Sequence, residues 1–292
     1  MRRIGDALAL AMLHGLEGKN EARLISVSVG FNNLNAAAYC DAVGRFYSGR
    51  PLPIGMIADG KPVDDLPLFI APLARGAHSI HKLNDSADPM ALIRNALTAQ
   101  FDGNAVVILS GPATTLAGVL ALRGSAEVIT SKVKFLALAV GAYPSGQPDP
   151  YWQADVAAAQ RLLKEWPGPI VACGSEVGNA LPFPVASIEK DFAWSPAHPV
   201  AEAYRAYRAM PYDAPTEPMA AAFHAAHPSD NAFRLSEAGT IRVTADGRTE
   251  FAPSADGKHR YLILDSAQRD RVIQIFTEIA SAKPVPRVRN RP

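Results

Sequence analysis

The sequence predicts an α/β protein with a mostly parallel central sheet flanked by helices. Three observations carry that expectation. Continuous apolar runs such as Ala105–Leu109 and Val133–Val140 have the composition of strands covered on both faces. Helix-length segments alternate with these runs, the pattern of parallel βαβ units with right-handed crossovers. Each run breaks at a small, glycine-containing step, Ser110-Gly111-Pro112 or Gly141-Ala142, so a ligand site is expected outside the strand C-terminal ends.

The totals agree with a folded protein. A chain of 292 residues can bury a large core, and one α/β domain spanning 1–292 is ordinary at that size. Within it the core is expected at about 4–182, a helical and β-hairpin portion at about 183–280, and a loose tail at 281–292. Hydrophobic content of 48% against 20% charged residues excludes a disordered chain. A formal net charge of +1 gives no electrostatic case for nucleic acid or an anionic membrane, and no apolar run reaches the length of about 18 residues that spans a bilayer. Cys40 and Cys173 lie in apolar segments and read as buried free thiols. No signal peptide is visible, so the chain reads as cytoplasmic, or as exported if a leader lies upstream.

Taken in order, Ile4–Leu13 is an acid-opened, unbroken apolar run, which predicts a helix buried all round. Asp6 suits the positive helix N-terminus and reads as its N-cap. A doubly wound sheet wants a central strand before that helix, which Met1–Arg3 is too short to supply; the strand is expected upstream, or its slot is filled by another segment. Arg23–Val29 predicts a strand ending at Gly30-Phe31-Asn32-Asn33. Ala36–Tyr47 predicts a helix and Ile54–Ile57 a short strand. The segment 58–88 is loop-rich, a long connection of the kind that is often functional. Pro89 in the first turn opens a helix to about Gln100. Helices follow at Ala113–Ala117 and Asp155–Trp166, and strands at Ala105–Leu109, Val133–Val140 and Ile170–Cys173. Beyond residue 182, helices are expected at His198–Met210, Met219–His227 and Ser266–Ala280. Strands are expected at Thr240–Val243, Thr249–Phe251 and His259–Leu264, with Asp246-Gly247 as a hairpin turn.

Several stretches resemble one family. Asp6-Ala7-Leu8-Ala9-Leu10-Ala11-Met12-Leu13 is similar to the end of the N-terminal aspartate cluster of nucleoside hydrolases of the inosine–uridine-preferring type. Ser110–Ala117 resembles that family's Gly-Pro-Leu-Thr-Asn-Leu-Ala turn. Trp166–Gly178, Phe233–Val243 and Gly257–Leu262 look like a bacterial branch of it. The likeness covers about residues 4–265. It implies a nucleoside-hydrolase-like fold, cleavage of an N-glycosidic bond, a Ca²⁺ ion caged by aspartates, and assembly as a homo-oligomer.

Position by position, the implied calcium site is thin. Asp6 is the acid left in the first cluster, with Gly5 and Met1 where other ligands would lie. Asp6 is thus a candidate catalytic and metal residue as well as a candidate cap, and the carbonyl of Thr114 is a candidate metal ligand. Asn32 and Asn33 are candidates for touching a sugar. The family's Glu-Phe-Asn motif falls on Asp149-Pro150-Tyr151, making Asp149, Tyr151 and Trp152 ligand-binding candidates, the two rings by stacking. The last metal aspartate falls on Pro218, with Asp213 as the alternative register. Calcium needs several hard oxygen ligands, so the resemblance implies a degenerate site, with no cofactor expected unless Ca²⁺ finds an intact cage. The protein is then expected to hold a nucleoside- or sugar-like ligand without turnover. Its alternatives are an active Ca²⁺-dependent N-ribosyl hydrolase with further ligands upstream, or a scaffold for a partner protein. His78 and His81, like His224 and His227, have i,i+3 spacing and no matching third ligand, which favours surface residues over a zinc site.

Overall fold

The computed structural model describes residues 3–59 and 62–285; Met1 and most of the expected tail lie outside the described residues. The chain opens on α1 (Ile4–Gly18), followed by β1 (Val27–Val29), α2 (Leu34–Ser48), β2 (Ile54–Met56) and α3 (Pro67–Leu73). After a 3-10 turn at Leu83–Asp85 come α4 (Pro89–Thr98), β3 (Ala105–Leu109), α5 (Thr114–Ala121), α6 (Ser125–Lys132) and β4 (Val133–Leu138). Next are α7 (Pro150–Ala154), α8 (Val156–Glu165), β5 (Ile170–Ala172), α9 (Ser175–Ala180), α10 (Val185–Lys190) and α11 (Pro199–Tyr207). The remainder is α12 (Glu217–Ala226), β6 (Phe233–Leu235), β7 (Gly239–Val243), β8 (Thr249–Pro253), β9 (His259–Leu264) and α13 (Arg269–Ala280).

These elements fall into two compact units: Met1–Asp88 with Phe183–Ala214 and Ile273–Pro292, and Pro89–Pro182 with Pro215–Val272. In the first, β1 and β2 form a two-stranded parallel pair, Val27 beside Ile54 and Val29 beside Met56. The α1 run is buried as its composition demands, with Leu8, Met12 and Leu16 fully inside. Its Gly15 lets the carbonyl of Ile279 approach so closely that any Cβ would overlap it. Tyr39 and Phe69 meet with ring centroids 6.1 Å apart, joining α2 to α3.

The second unit holds a seven-stranded sheet in the order β3-β4-β5-β9-β7-β8, with β6 on β9. The four strands β3, β4, β5 and β9 pair in parallel. By contrast β7–β8, β7–β9 and β6–β9 are antiparallel, so the sheet is mixed, not purely parallel. For β7–β8 the reason is local: Gly247, at φ 85°, closes the short turn after Asp246, and a short turn can only return the chain antiparallel. Trp152, Leu136, Leu138, Ile170 and Leu162 are buried in its core, each such side chain contributing about 1.5–3 kcal/mol.

Sequence patterning overlooks α6, α7, α9, α10 and β6, and α3 lies inside the segment read as loop. The helices among them have five to eight residues, too few turns for periodicity to show and short enough that packing, not propensity, holds them. The strand expected at Arg23–Val29 pairs only from Val27. Cys40 and Cys173 are buried thiols outside any disulfide, and burial pushes the Cys40 thiol up to about 12. No helix among the described residues is long and apolar enough to cross a membrane.

Candidate functional site

In the first unit, Asp6 is not the N-cap. Arg3 is, and Asp6 is the third helical residue, whose carboxylate accepts the Arg3 backbone N–H at 3.3 Å. This is the acid half of a capping box, satisfying a donor left over by the helix start. Asn33 is the N-cap of α2, taking the Ala36 N–H at 2.7 Å. Its amide donates to the Val63 carbonyl at 2.9 Å and the Asp65 carboxylate at 3.1 Å. Asn32 donates to the Ala58 carbonyl at 2.9 Å. The two asparagines therefore pin the loop after β2. Asp213, the alternative register, accepts the Val185 N–H at 2.8 Å and so holds the start of α10.

In the second unit the groups gather at the strand C-terminal ends. Thr114, first residue of α5, donates its hydroxyl to Asp155 at 2.9 Å, and Asp155 in turn caps α8 through the Ala158 N–H. Asp149 caps α7 through Tyr151 N–H at 2.8 Å and also accepts the Gly141 N–H at 2.9 Å. It thereby ties the end of β4 to α7. Tyr151 and Trp152 are both buried, Trp152 completely. Gly141, at φ 85°, passes close to Trp152 Nε1, Thr249 Oγ1 and Tyr143 Oη. A side chain there would meet all three polar atoms, so glycine is required sterically as well as by the backbone.

Two carboxylates missed by sequence patterning lie beside this group. Glu176, near the start of α9, folds its carboxyl back against Gly174 and accepts the Tyr143 N–H at 3.0 Å. Loss of water around that carboxyl, with the charge of Glu217 adding to it, raises Glu176 above the ordinary carboxylate range. Glu217 is the first residue of α12, 5% exposed, and its carboxylate sits where a side chain on Gly178 would go. Proline does stand at 218, but a buried acid precedes it directly. The signal available in the sequence was Gly174-Ser-Glu-Val-Gly178 after a strand: two glycines four apart, each making room for a glutamate. A carboxyl whose charged form burial disfavours, with a second buried carboxyl acting on it, is suited to donating a proton or a hydrogen bond.

No family model matches this sequence, and neither does any curated protein. Solved structures do match its fold. A plant nucleoside hydrolase superposes with a TM-score of 0.69 at 17% identity over 96% of each chain. The inosine–uridine-preferring nucleoside hydrolase of Bacillus anthracis gives 0.69 at 14% identity, again over 96% of each. This chain has the nucleoside-hydrolase fold. The same fold occurs in a protein described as an effector, with a TM-score of 0.65 at 12% identity over 97% of this chain and 91% of that one. A nucleoside-hydrolase fold is compatible with more than one function, so function rests on the site.

For calcium, the residues of this nucleoside-hydrolase-fold protein fit poorly. Among the described residues no three His, Cys, Asp or Glu side chains gather to hold a metal ion. Gly5 and Pro218 offer no side-chain oxygen, Asp6 reaches back to Arg3, and Met1 lies outside the described residues. A hard cation needing six or more oxygens is not served by that set.

Proposed function

We propose that this chain binds a nucleoside- or sugar-like small molecule without calcium-dependent turnover. The reading is supported by one observation above others: the acids that match the family's motifs hold helix starts. Asp6 completes the box of α1, Asp149 caps α7 and Asp213 holds α10. The neighbouring folds supply the ligand class, since two of them are nucleoside hydrolases by name. The test combines ribose release from inosine and uridine, in calcium and in chelator, with thermal unfolding in each nucleoside. The expected result is no ribose, together with a nucleoside-dependent rise in Tm that chelator leaves unchanged. Calcium-dependent ribose release would overturn it.

A second reading, an active N-ribosyl hydrolase, is favoured by the buried Glu217 and its neighbour Glu176. It predicts ribose release that is abolished in Glu217→Gln and Glu176→Gln while nucleoside still raises the Tm.

A further inference from the structure

The stretch between α3 and the 3-10 turn at Leu83–Asp85 carries two histidines that the nucleoside reading does not use. Their rings meet: the centroids of His78 and His81 are 4.6 Å apart with planes inclined at 40°. We propose that His78 and His81 form a site for one borderline divalent transition-metal ion, of the copper(II), nickel(II) and zinc(II) class.

The spacing is the first argument. Two imidazoles bound to one ion, with metal–nitrogen bonds of about 2.0–2.1 Å at about 90–110°, place their centroids roughly 4.5–5.2 Å apart. The observed 4.6 Å falls in that range. The second argument is the proton. Nδ1 of His78 lies 3.0 Å from the Ile80 carbonyl. A carbonyl only accepts, so Nδ1 carries the hydrogen and Nε2 keeps its lone pair. An imidazole N–H anchored on a backbone carbonyl is the usual outer-shell support of a metal-bound histidine. The third is charge. Asp85 accepts the backbone N–H groups of His81 at 2.9 Å and Lys82 at 3.0 Å, and its negative charge acts on His81. It opposes the repulsion that Lys82 would exert on a cation. Arg45 is neutralised separately by Asp41 at 2.9 Å.

The same geometry sets the ion class. No third His, Cys, Asp or Glu joins the pair among the described residues, so water fills the remaining positions. Two neutral nitrogens attract ions that favour imidazole, in the order copper above nickel and zinc, and give calcium and magnesium nothing. Affinity is lost on acidification because both ligands must be unprotonated.

The test is calorimetric titration of the full chain, free of affinity tag, with NiCl₂ and CuCl₂. One ion per chain is expected, copper binding more tightly than nickel. Either His78→Gln or His81→Gln weakens binding by at least about tenfold, the lower bound set by what loss of an outer-shell partner does. His81 is exposed, so its variant keeps the test valid should His78→Gln disturb the loop. His227→Gln, a histidine packed on Phe223 at 5.0 Å, leaves binding unchanged. Unaltered affinity in the His78→Gln/His81→Gln double variant, or no binding by the wild type, overturns the site.

Discussion

His198 is completely buried, and every polar atom of its ring has a partner. Nδ1 accepts the N–H groups of Val200 at 3.3 Å and Ala201 at 3.4 Å, which caps α11. Nε2 must then carry the hydrogen and donates it to Tyr47 Oη at 3.0 Å, while Tyr47 donates onward to the Ala280 carbonyl. Rings of Phe46, Phe192 and Trp194 close around it. Burial pushes its pKa from 6.5 down to about 3. Between those values the unfolded chain binds a proton that the folded chain refuses, so this contribution to stability is complete above pH 6.5 and disappears as pH falls toward 3. Across that window His198 adds a slope of up to about 1.4 kcal/mol per pH unit. Urea unfolding at several pH values should show a shallower slope for His198→Gln than for wild type; identical slopes would rule the mechanism out. Asp6 makes a second prediction at this scale. As a capping acid, Asp6→Ala should lower stability by about 1 kcal/mol, with Asp6→Asn retaining most of it. Equal losses in the two variants, read by the same unfolding curves, would contradict that role. An acid at a helix start was visible in the sequence. Its place, third in the helix rather than before it, was not, because position depends on where Arg3 turns extended.

Elements meet through glycines. Gly15 of α1 faces the Ile279 carbonyl of α13, and Gly178 of α9 faces the Glu217 carboxylate and backbone N of α12. Both approaches are closer than a Cβ tolerates. Gly15→Ala must therefore move backbone, and an expected loss of about 1–3 kcal/mol follows from overpacking of this kind. Differential scanning calorimetry of the variant measures it; an unchanged or raised Tm would mean the helices have room. Long elements with a full pattern, such as α1, α8 and β3, were legible because buried apolar runs and amphipathic turns repeat several times within them. The short α9 and α10 were not, and with α9 went Glu176. The signal there was only partly local: Gly174 makes room for Glu176 of its own segment, whereas Gly178 matters because Glu217 from the start of α12 occupies the space beside it.

At the scale of the molecule, the alternation of apolar runs and helices correctly announced parallel pairing from β3 to β9. The antiparallel pairings of β6 and β7 with β9, and of β7 with β8, made the sheet mixed. The family likeness in Asp6–Leu13 and Ser110–Ala117 agrees with the fold seen in solved structures at 17% identity or less. Such divergence preserves the apolar skeleton while leaving side-chain chemistry free to change, so fold was far more legible than activity. The activity question then reduces to linkage. A native chain that binds an ion gains stability by mass action, about 2.7 kcal/mol at a free concentration near 100 times the dissociation constant. For a chain of this size that is a Tm rise of roughly 4 °C. Since the acids matching the family's motifs hold helix starts, excess CaCl₂ should leave the Tm where chelator does. A calcium-dependent rise of that size, absent in Asp6→Asn, would show that this carboxylate holds an ion after all, and the calcium-independent reading would fall with it.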